Sequence, residues 1–232
     1  MYIDWTYVVL VLPAVLFSLW ASQKVNSTFN RYQKVYNTRG LSGARAARCV
    51  LDRNGLSNVR IEHVSGSLTD HYDPQSNVIR LSDSVYGSSS CASVGVACHE
   101  AGHAIQYAQN YAPVKIRTAI VPITNLGSRL AMPLIIIGLI LGSLSPVFTW
   151  IAYAGIICFA LCTLFQLITL PTEFDASRRA MQCIEDGGLL QGGELDGARK
   201  VLTAAALTYV AALAVSLTQL LRFLVIFRNR RD

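Results

Sequence analysis

His99, Glu100 and His103 are the residues whose types and spacing most directly imply chemistry. Histidines four apart on a helix lie one turn apart on the same face. Two imidazoles so placed can grip one zinc ion, each through one ring nitrogen. Glu100, next to the first imidazole, is placed to meet a water held by that ion. Zinc brings the pKa of such a water towards ~7, and a carboxylate beside it can take the proton.

The run His99-Glu100-Ala101-Gly102-His103 is the H-E-x-x-H arrangement of zinc peptidases. With 4 His and 5 Glu in 232 residues, chance yields the pattern somewhere in the chain with a probability on the order of 0.001. The motif needs a helix, and residues 88–110 read as one. Ser88 to Ser90 offer an N-cap, small residues at Ala92, Gly95, Ala101, Ala104 and Ala108 allow close packing, and Asn110 and Pro113 mark the end.

A catalytic zinc usually has three protein ligands and one open position. Glu173 is the expected third ligand, with Glu185, Asp175 and Asp196 as rivals. Residues 171–180 read as the start of a new helix after a membrane exit, with Thr172 and Asp175 as a capping box. Two strands are expected before the metal helix, over 59–64 and 77–82. The second, through Val78, Ile79, Arg80 and Leu81, is expected to be an edge strand that binds an extended peptide. His63 and His71 read as surface or supporting histidines. Six cysteines without a C-x-x-C pair read as reduced thiols, and Cys98 points off the metal face.

The surrounding elements are those of a membrane protein. Hydrophobic residues make up 52%, charged residues 15%, and mean hydropathy is +0.38. Apolar runs cover 5–21, 120–170 as a hairpin turning at Ser145-Pro146, and 201–227. No basic n-region precedes the first run, which therefore reads as a retained anchor. The fold class expected is a mainly α integral membrane protein, with a zincin-like α+β domain and a small sheet packed on three to four transmembrane helices. Its parts are an anchor (1–21), a catalytic region (22–118), a transmembrane hairpin (119–170), a second ligand region (171–200) and a C-terminal hydrophobic helix with a basic tail (201–232). The net charge of +6 suits anionic lipid and positive-inside loops, and no nucleic-acid motif is present. The polar segments 22–129 and 171–200 hold 16 of the 20 Lys and Arg residues, which assigns the catalytic region to the cytoplasm.

The chain resembles the YugP-like family of bacterial membrane zinc metallopeptidases and, more distantly, HtpX-type proteases. The resemblance is carried by Asp73 to Ser82, His99 to Gln106, Leu170 to Ser177 and Leu207 to Ala212. It implies a gluzincin in the bacterial plasma membrane, with His99, His103 and Glu173 on Zn2+ and Glu100 as general base. HtpX-type enzymes carry Glu-x-x-Ala-Asp at the third ligand, whereas this chain, with Glu173 and Ala176 in place, has Ser177 in the place of that Asp. Protein or peptide substrates associated with the bilayer are expected. For the oxyanion, Arg178, Arg179 and Tyr209 are candidates. A metal-binding scaffold without proteolysis and a site-2-type protease using Leu195-Asp196-Gly197 are the alternatives, and a transporter or channel is a weaker one. The polar flanks of the motif, including Gln106, Gln109 and Asn110, weigh against the site-2-type reading.

Overall fold

The computed structural model describes residues 4–228. These fall into two compact units. One lies within Met1–Trp20, Ile116–Leu170 and Tyr209–Asp232, and the other within Ala21–Lys115 and Pro171–Thr208.

The first unit is built from the apolar parts of long helices: α1 (Leu12–Tyr32, preceded by a π-helical turn, Tyr7–Val11), α4 (Ala112–Leu141), α5 (Pro146–Asp186) and α6 (Gly193–Arg228). Four helices, Tyr7–Tyr32 and the last three, are long and apolar enough to cross a membrane. In lipid a helix is favoured because it satisfies its own backbone hydrogen bonds. Glycines bring α4 and α5 together: a Cβ on Gly138 would lie 2.3 Å from Ala152 Cβ, and one on Gly155 would lie 2.8 Å from Ile135 N. The turn between them ends at Pro146, the first residue of α5, where a missing N–H costs nothing. Thr163 and Ser216 share a buried 2.7 Å hydrogen bond between α5 and α6. Arg222, the one charge inside the last apolar run, reaches Asp4 at 2.5 Å, as an ionisable group in an apolar setting requires.

The second unit holds α2 (Gly43–Arg53), β1 (Arg60–Val64), β2 (His71–Asp73), β3 (Val78–Ser82) and α3 (Cys91–Ala108), together with polar ends of the long helices. Ser42 and Ser90 cap α2 and α3 by accepting from the backbone N–H of Arg45 and Ser93. The core gathers apolar side chains from α2, α3, β3, the end of α5 and the start of α6, among them Leu51, Leu81, Val94, Ile184 and Val201. Cys98 sits in it, and burial pushes its thiol up and keeps it protonated.

Two expectations are overturned here. Residues 171–180 do not open a new helix, because Pro171 lies inside the 41-residue α5. A proline removes one rung of the ladder, which does not end a helix that packing holds on both sides. Asp175 caps nothing; its carboxylate is used elsewhere. Nor is β3 an edge strand. The sheet order is β1-β3-β2, with β1 parallel (Arg60 opposite Val78) and β2 antiparallel (His71 opposite Arg80). The short strand β2 was hidden in sequence by its three-residue length. Beyond it, Asp70 accepts from the backbone N–H and hydroxyl of Ser82. Val78, Ile79 and Leu81 are fully buried, and Arg80 is held by Asp73 and Glu62. A strand paired on both sides has no N–H or C=O row left for an added strand. The outer strands of the sheet are β1 and β2.

Candidate metal centre

The site starts from α3. Its 18 residues place His99 and His103 on one face, with ring centroids 4.7 Å apart and planes nearly perpendicular. The opposing wall is α5, which can approach because Gly102 has no side chain. A Cβ there would sit 2.6 Å from the Ala176 carbonyl oxygen. The two intervening residues of the motif are therefore spacers: Ala101 is fully buried and Gly102 admits the backbone of α5.

That approach delivers Glu173. One carboxylate oxygen lies 3.4 Å from His99 Nε2 and 3.5 Å from His103 Nε2. Tetrahedral coordination with bonds of about 2.0–2.1 Å sets ligand atoms about 3.3 Å apart, so Glu173 stands from each imidazole at close to the separation a shared zinc requires. Among the described residues, His99, His103 and Glu173 form a set that could hold one metal ion. Glu173 is only 3% exposed. Burial alone would raise its carboxyl, but the hydrogen bonds and charges of His103 and His99 outweigh this and hold it well below the carboxylate range. For His103, burial favours the neutral ring, yet Glu173 and Glu100 raise its pKa on balance. Glu100 is buried at the same turn of α3.

Each imidazole is fixed from behind. His99 Nδ1 meets the Ser177 hydroxyl at 3.1 Å, and His103 Nδ1 meets Gln106 Oε1 at 3.0 Å. Gln106 is fully buried, and its amide nitrogen donates to the Thr172 carbonyl at 2.8 Å and to Asp175 at 2.9 Å. A backbone carbonyl and a carboxylate only accept, so the amide cannot turn round. Its oxygen must then face His103 and accept from Nδ1–H, which leaves Nε2 as the ring atom turned to Glu173. Burial works against ionising Asp175, but donors from Gln106, Arg179 and Arg178 hold its carboxyl low. This backing is what metal-binding histidines need.

Sequence reasoning missed Gln106 and Ser177 as supports. Their positions, three residues after His103 and four after Glu173, were the available signals. Ser177, the position at which the sequence departs from the HtpX-type pattern, meets His99 Nδ1 with a neutral hydroxyl. Arg178 and Arg179, considered for the oxyanion, are committed to Asp175, and Arg179 also bonds Gln109 at 2.5 Å. His63 is bound to Asp83 at 2.6 Å and His71 to the Thr69 carbonyl at 2.8 Å, in keeping with surface roles. Of the rival ligands, Glu185 pairs with Arg199, and Asp196 lies in the first turn of α6, outside the metal-capable set.

Comparison with known proteins agrees with this geometry. The profile of the family described as "Putative neutral zinc metallopeptidase" matches residues 7–228. The chain is 47% identical over 226 residues, covering 97% of it and 98% of the relative, to "Putative membrane protease YugP" of Bacillus subtilis (strain 168). No solved structure matches. A match over nearly the whole chain, with the zinc-capable triad on two of its helices, makes this protein a member of the YugP-like zinc metallopeptidase family.

Proposed function

We propose that the protein is a membrane-embedded, zinc-dependent endopeptidase of the gluzincin type, cutting membrane-associated proteins near the bilayer surface. In this reading His99, His103 and Glu173 hold Zn2+ and Glu100 is the general base. Zinc, when bound, supplies a Lewis acid that polarises a carbonyl and acidifies water. Glu100 takes the proton of the attacking water and passes it to the leaving amine. Glu173 contributes negative charge and, with the imidazoles fixed by Gln106 and Ser177, keeps three donors converged. The observation that carries the proposal is the 3.4–3.5 Å spacing of Glu173 from both Nε2 atoms.

Nearness to the bilayer is supported by α5 itself. Residues 147–170 are apolar and Glu173 follows three positions later in the same helix. The concentration of Lys and Arg in 22–129 and 171–200, 16 of 20 against the four at Arg222, Arg228, Arg230 and Arg231, favours a cytoplasmic site.

Glu100→Gln tests the reading. The variant should retain zinc at wild-type stoichiometry and lose peptide hydrolysis by about 10²–10⁴-fold, the range for a general base. A variant with full cellular function would identify a metal-binding scaffold instead.

A further inference from the structure

A second cleft in the polar unit is unrelated to the metal centre. It has a volume of about 630 Å³, within the range of small-molecule sites. Lys24, Arg31, Arg199 and Lys200 line it, around Tyr32. Lys200 Nζ and the Arg31 guanidinium each lie over the Tyr32 ring, at 5.8 and 5.6 Å. Only Arg199 is neutralised, by Glu185. Lys24, Arg31 and Lys200 make no ion pair among the described residues, and Asp196, one turn before Lys200, does not pair with it. Gly197 lets the aromatic ring seat against α6: a Cβ there would lie 2.7 Å from Tyr32 Cδ1. Gly197 of the Leu195-Asp196-Gly197 triplet thus packs against Tyr32, and Asp196 lies outside the metal-capable set. Uncompensated like charges lining one concave wall repel each other until an anion enters.

The location identifies the anion. Lys24 follows the first apolar run by three residues, and on α6 the lining ends at Ala204 and Leu207, inside the last apolar run that starts at 201. Arg31, Tyr32 and Lys200 therefore mark the polar end of the cleft, and Lys24 with Ala204 and Leu207 the end next to the apolar runs, on two helices at the point where each changes from polar to apolar sequence. We infer that this cleft binds the phosphodiester headgroup of an anionic glycerophospholipid, with the phosphate among Lys24, Arg31 and Lys200 and the start of the acyl chains against Ala204 and Leu207.

The inference does not depend on peptidase activity, so its test needs no substrate. Full-length protein in detergent is titrated with phosphatidylglycerol or phosphatidylcholine of the same chains, and bound lipid is counted by native mass spectrometry. The thermal unfolding midpoint is followed in parallel. Phosphatidylglycerol should bind at about one per chain and raise the midpoint, and phosphatidylcholine should do neither. Basic residues near a bilayer contribute roughly fivefold each to affinity for anionic lipid. Lys24→Ala/Arg31→Ala/Lys200→Ala should therefore weaken phosphatidylglycerol binding on the order of 100-fold. Lys200→Gln alone, a surface change that preserves folding, should weaken it about fivefold. Equal retention of the two lipids, or unchanged binding in both variants, would overturn the assignment. So would reproduction of the stabilisation by millimolar inorganic phosphate, which would make the ligand a soluble anion.

Discussion

Replacing Gln106 by Leu tests whether the imidazole behind the metal face must be held. The side chain is fully buried and makes three polar contacts, with His103 at 3.0 Å, the Thr172 carbonyl at 2.8 Å and Asp175 at 2.9 Å. Leu fills a similar volume, so packing is kept and the hydrogen bonds are lost. The Nδ1–H of His103 then has no acceptor, and a buried donor left unmade costs about 1–3 kcal/mol. Supports of this kind cost 10–100-fold in metal affinity when removed, which is about 1.4–2.7 kcal/mol. The two routes agree. Asp175 keeps Arg178 and Arg179, so the fold should survive with a loss of about 1–3 kcal/mol. Zinc affinity is measured by competition with a chelating dye, and retention of helix by circular dichroism. A folded variant that binds zinc within twofold of wild type would refute the argument that Gln106 fixes the ring and its tautomer.

Ser177→Ala should weaken zinc about tenfold by removing the partner of His99 Nδ1, whereas Ser177→Asp should bind zinc at least as tightly as wild type, because a carboxylate raises ligand basicity; the same dye competition reads both. Gly102→Ala forces a Cβ to within 2.6 Å of a backbone oxygen on α5, so it should destabilise by about 1–3 kcal/mol and loosen the zinc site by separating α3 from α5, seen as a lower unfolding midpoint and weaker zinc binding. The chelated protein should be most stable between roughly pH 4.5 and 6.5, the ordinary values of the two groups. Glu173 is held low, so its contribution is present above 4.5 and fades as pH falls; His103 is held high, so its contribution is present below 6.5 and fades as pH rises through the raised value. Unfolding midpoints of zinc-free protein across pH 3–9 test this, and a flat profile would contradict it.

What the chain order alone decided was set by local physics. The His-Glu-x-x-His spacing works because four residues are one turn of any helix, and the serine cap and small residues already marked α3 as that helix. The long apolar runs needed only bilayer thickness to be read as spans. Glu173 was legible as the expected third ligand among several acids, but the contact was not: the 3.4–3.5 Å meeting with His99 and His103 exists because Gly102 lets two helices touch. The same non-local packing carries α5 through Pro171, turns Asp175 from a cap into the group that orients Gln106, and inserts β3 between β1 and β2 so that its residues face the core. Such outcomes depend on which segments become neighbours, and contacts between residues 70 apart leave no periodicity in the chain.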